Sequence, residues 1–86
     1  MPKVADLPGH LRIRQFHNDH DPPHFHVQHA GRNTLITIAD VRILRGALSA
    51  TTLRAVREWA LAHQAELALN WVLARAGLEI RDIPSP

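Results

Sequence analysis

The spacing of apolar and polar positions along this chain changes period near residue 49. In the first half the period is two. In the stretch LRIRQF, Leu11 and Ile13 alternate with Arg12 and Arg14, the pattern of a strand buried on one side. Pro8 and Gly9 precede it as a turn signal, and Asn18, Asp19, Asp21, Pro22 and Pro23 follow it as a dense turn cluster that interrupts pairing. Alternation resumes over His24–His29, with Phe25 and Val27 directed to the core and His24, His26 and Gln28 to the other side. The run Ala30–Asn33, built around Gly31, predicts a short hairpin loop, and Thr34–Ile38 and Val41–Leu44 are two further β-rich runs.

From Leu53 onward the apolar residues fall at helical spacing: Leu53, Val56, Trp59, Ala60, Leu67, Trp71 and Ala74. Ser49 is placed to cap the start and Gly77 to close the end. Polar His63 and Gln64 interrupt the stripe, which predicts two helices breaking near His63 in place of one from Ala50 to Ala76. Leu78–Ile83 alternates again and is a candidate last edge strand. The fold class that follows is α+β, an antiparallel β-meander of three to five strands packed on two C-terminal helices. At 86 residues the chain reads as a single domain, 1–86. Residues 1–48 are mainly strands with the histidine-rich turn, 49–77 are helical, and 78–86 form the edge strand and tail.

Composition narrows the chemistry. The chain has no cysteine, so disulfides, thiolate metal sites and thiol catalysis are excluded. No apolar run approaches the roughly 20 residues of a membrane span, and the segment MPKVADLPGH lacks the features of a secretion signal, so a cytoplasmic protein without membrane contact is expected. The formal net charge is +2, and nine of the ten basic residues are arginine, a bias toward bidentate contacts with carboxylates or phosphates. Arg12, Arg14 and Arg32 of the strand half, with Arg42 and Arg45 nearby, are candidate contacts to an anion or to RNA.

The segment NDHDPPHFHVQH, Asn18–His29, concentrates the remaining chemistry. An extended backbone presents His24 and His26 together, and His20, Asp19 and Asp21 lie close enough in sequence to fold back toward them. As a metal site, His20, His24 and His26, completed by His63 and Glu66 on one helix face, would hold a divalent transition metal as cofactor. As a metal-free catalyst, His20, His24 or His26 would serve as general acid and base, with Arg12 or Arg14 stabilising a phosphorane. The stretch HFHVQ also resembles histidine-triad nucleotide hydrolases and transferases, which implies His26 as nucleophile beside His24 and Gln28. It resembles cupins only in its H-x-H pair, since no glutamate follows. Whether the chain is an enzyme stays open at this point.

A broader resemblance covers nearly the whole chain. The start MPKV, the strand LRIRQF, the block at Asp19, His20, Pro22, Pro23, His24, Phe25, His26 and Val27, and the helical residues Trp59, His63, Glu66, Leu67, Asn70 and Trp71 resemble a small bacterial family, domain of unknown function forty-one-sixty. Members of that family are often encoded beside another small protein, in gene pairs that look like toxin–antitoxin modules. The resemblance therefore implies a toxin-like or interaction component whose partner is a small protein from an adjacent gene, a second copy of itself, or RNA.

Overall fold

Five strands, taken among the described residues, form one antiparallel sheet in chain order. The computed structural model describes residues 3–17 and 19–85. Met1 and Pro2 of the MPKV start, Asn18 at the head of the histidine-rich segment, and Pro86 lie outside the described residues. The strands are β1 (Lys3–Leu7), β2 (Leu11–Arg14), β3 (His24–His29), β4 (Arg32–Thr37) and β5 (Ile43–Arg45). Two helices follow, α1 (Ala50–Ala62) and α2 (Gln64–Arg75). The architecture is the α+β arrangement that the change of period predicts.

Each strand follows from its alternation. Ile13 pairs with Val27 and Phe25 with Ile36, and all four are fully buried on the face that meets the helices. On the helices Val56, Trp59, Ala60, Leu67 and Trp71 complete the same core. Trp59 is anchored at both ends of its ring system: it meets Phe25 at 6.3 Å and donates from Nε1 to the Pro84 carbonyl at 2.9 Å. The first strand, β1, was not anticipated, because VADL is short and follows a proline. It earns its place by pairing with β2 and burying Val4, Ala5 and Leu7.

The hairpin between β3 and β4 is tighter than the expected loop Ala30–Asn33. Pairing extends to His29 opposite Arg32, leaving two loop residues, Ala30 and Gly31, with φ of +51° and +74°. That is the left-handed pair a two-residue hairpin with right-handed strand twist requires. The strand expected over Val41–Leu44 shifts to Ile43–Arg45, since Val41 turns at φ +51° with its side chain wholly buried. Gly46, at φ +94°, lies so close to Thr34 that an added Cβ would approach its Oγ1 to 3.0 Å.

Ser49 caps α1, accepting from the Thr52 amide at 3.2 Å, and the helical run breaks at His63 as its polar interruption suggests. Gly77 follows α2 at φ +74°. The edge strand expected at Leu78–Ile83 does not form. This tail is extended but satisfied by a side chain in place of a ladder: buried Asn70 donates to the Arg81 carbonyl at 2.8 Å and accepts from its amide at 2.9 Å. The tail reaches the sheet at its end, where the Ile83 amide donates to the Val4 carbonyl at 2.8 Å and Ser85 Oγ accepts from the Asp6 amide at 3.3 Å. Among the described residues no helix is long and apolar enough to cross a membrane.

Candidate metal centre

The segment joining β2 to β3 does not extend into solvent but folds back across the sheet. Gln15, buried, donates from Nε2 to the Leu67 carbonyl at 3.1 Å, and His17 Nε2 donates to the Leu78 carbonyl at 2.9 Å. Asp21 accepts from Arg75 at 3.2 Å, and the Pro23 carbonyl accepts from the Ile38 amide at 3.0 Å. These four contacts tie the segment to α2, the tail and the β4 end. Asp19, halfway along, is thereby held over the side of β3 that alternation leaves to the histidines.

His24 and His26 lie together on the side of β3 away from Phe25 and Val27, as alternation predicts, and that side is covered. All four residues from His24 to Val27 are buried. The returning segment provides the cover, with Phe16 edge-on to His26 at 4.5 Å between ring centres, while Trp71 of α2 lies 5.3 Å from His24. Two imidazoles and one carboxylate are thus enclosed together. The Asp19 Oδ2 lies 2.9 Å from His26 Nε2 and 3.5 Å from His24 Nε2, and the three donor atoms all fall within 4.8 Å of one another. Asp19 keeps a side-chain exposure of 20%, so the group opens to solvent at the carboxylate.

The outer nitrogens are also fixed. His24 Nδ1 lies 2.8 Å from the Pro22 carbonyl, which can only accept, so Nδ1 carries a proton and, in the neutral imidazole, Nε2 turns its lone pair inward. That Nε2 is buried and makes no hydrogen bond. His26 Nδ1 meets the Asn33 side-chain amide at 3.1 Å, and an amide can donate or, turned over, accept. A carbonyl and an amide behind two inward-facing imidazoles are the orienting partners that metal-ligating histidines ordinarily have.

The donor spacing suits one ion. Ligands bonded at about 2.0–2.2 Å to a tetrahedral centre stand about 3.3 Å apart; the two distances to Asp19 bracket that value, and the pair of histidine nitrogens, within 4.8 Å, would close on a bound ion. Two nitrogens and one oxygen are a set that zinc, iron, manganese and nickel accept, and three protein ligands leave coordination positions for water or substrate.

The other sequence candidates lie elsewhere. His20 is exposed and, with His17, Asp19, Asp21 and Arg75, lines an open cavity of about 430 Å³ beside the centre, but it is not in the donor group. His63 and Glu66 pair with each other at 2.6 Å on the helices, His63 stacking on Trp59, and neither joins the three. Asn70, of the same helical half, clamps the tail and does not join the group. Gln28, beside His26 in the histidine-triad resemblance, accepts from Arg14 at 2.6 Å. Arg12 and Arg14 share one face of the sheet, while Arg32, opposite His29, falls on the other; only at the turn end of the sheet do Arg12 and Arg32 line a common cavity, which Arg14 does not reach. Asn33 and Phe16 were missed as site residues. Asn33 sits in a polar hairpin run whose register with β3 is not legible locally, and Phe16 reads as the end of a strand.

Neither comparison with curated proteins nor comparison with solved structures gives a match. A family model does match, over residues 11–72, from the start of β2 into α2 and across Asp19, His24, His26 and Asn33. That span is well over half of the chain, which therefore belongs to the family described as Domain of unknown function (DUF4160).

Proposed function

We propose that this chain is a metal-binding module that holds one divalent transition metal through Asp19 Oδ2, His24 Nε2 and His26 Nε2. The observation that carries this reading is the buried Nε2 of His24, held with its lone pair inward and given no hydrogen bond. Burying such a group without a partner costs about 1–3 kcal/mol, and a cation bound between it and Asp19 removes that cost. A bound ion of this class acts as a Lewis acid and lowers the pKa of its water. This chain's own residues supply the orientation, through Pro22 and Asn33, and an approach past Asp19 beside the cavity of His20 and Arg75. Protein purified without a histidine tag, saturated with Zn²⁺ and freed of excess, is expected to retain about one ion per chain by elemental analysis. At a hundredfold excess over Kd the ion should stabilise the fold by about 2.7 kcal/mol, read as a raised Tm. A stoichiometry near zero with no thermal shift sinks the reading.

A second reading is favoured by the apolar side chains left open on the helices. Leu69 and Val72 share a face of α2 at 44% and 62% exposure, and Leu61 and Leu78 are more than half exposed. In this reading the chain is the toxin-like, protein-binding half of a two-gene module, its partner the small protein encoded beside it. Coexpression with that neighbour is expected to yield a copurifying pair that Val72→Glu disrupts, and expression alone is expected to slow growth. No pair and no growth effect would count decisively against it.

A further inference from the structure

At the end of the sheet opposite the β2–β3 segment, the β1–β2 and β3–β4 turns stand side by side and enclose an open cleft of about 690 Å³. Its walls carry Arg12, Arg32, His10 and His29 against a single acid, Asp6. We propose that this cleft binds a phosphate group through the guanidinium of Arg32, with Arg12, His10 and His29 as further donors.

The charge balance favours an anion. The hydrogen bond from Lys3, with that from Arg12, holds the Asp6 carboxyl below its ordinary value, so Asp6 is a carboxylate already matched by two cations. Arg32 has no hydrogen-bond or ion-pair partner among the described residues, and neither has His10. The buried Nδ1 of His29 makes no hydrogen bond either. A planar guanidinium forks onto phosphate oxygens, and a cleft lined mainly by one sign of charge concentrates counter-ions. The cleft's volume lies within the range of small-ligand sites.

The proposal is independent of the metal centre, and its test removes metal. Isothermal titration with inorganic pyrophosphate at low salt, in buffer containing EDTA, is expected to show one saturable site per chain. The ring signals of His10 and His29 should move in NMR spectra as it fills. Arg32→Ala, at an exposed position, should weaken binding about tenfold or more, as loss of a charged hydrogen bond does. Asp6→Asn should tighten binding, because it releases Arg12, an outcome that a mere loss of folding cannot imitate. A ten-nucleotide single-stranded RNA added in competition separates the sources. Displacement assigns the phosphate to a strand, and no displacement assigns it to a small phosphorylated ligand. No saturable binding of either probe, or binding that Arg32→Ala and Arg12→Ala leave unchanged, overturns the proposal.

Discussion

Replacing Asp19 by asparagine is expected to weaken metal binding by at least about a hundredfold while leaving the fold in place. Alterations to groups behind a ligand already cost about ten- to a hundredfold in metal affinity, and this substitution removes a ligand that carries the only negative charge among the three donors. Asparagine matches aspartate in shape and keeps an oxygen or amide near His26, so the hydrogen bond at 2.9 Å survives in neutral form. The cost to the metal-free fold is then about 1 kcal/mol, the difference between a charged and a neutral bond at a partly open position. Competition with a chelator of known affinity measures the first effect, and circular dichroism with thermal melting of the metal-free protein measures the second. The Zn²⁺-dependent rise in Tm should vanish in the variant. A variant that binds Zn²⁺ as tightly as the natural sequence would show that the three donors do not act as a centre.

The position between the two histidines gives the opposite result. Phe25→Ala is expected to cost about 3–5 kcal/mol of stability, the usual penalty for deleting a fully buried aromatic ring. The total stability of a domain this size is of order 4–13 kcal/mol, so a large part of it would go. Phe25 is wholly inaccessible, packs edge-on against Trp59 and pairs across the ladder with Ile36, so no single side chain can relax into the space it leaves. Urea denaturation should show a lower midpoint, with a substantial unfolded population at 37 °C. The comparison separates two roles within one strand. Adjacent side chains of β3 serve the core at Phe25 and the proposed metal centre at His24 and His26, and only their alternation keeps the two apart.

Much of this molecule is legible in its sequence because the signals are local. The period of two in LRIRQF and HFHVQH, the period of the helices, the serine ahead of Ala50 and the glycine after Ala76 each depend on a few neighbouring residues and on backbone sterics. The polar interruption at His63 belongs with them. So does membership of the family, whose model matches residues 11–72.

What the sequence could not decide are contacts between segments distant along the chain. Alternation separates His24 and His26 from Phe25, but whether they meet water or protein depends on the path of residues 15–23, which Leu67, Leu78 and Arg75 fix from across the fold. The selection of Asp19 over His20 as the third donor follows from that path, and so does the exclusion of His63 and Glu66, which the helices hold apart. The tail reads as a strand because its alternation is local, yet Asn70 satisfies its backbone first. Spacing along a chain determines which residues share a side of one element. Only tertiary packing determines which sides close on one another, and it brings Asp19, His24 and His26 of the histidine-rich segment together.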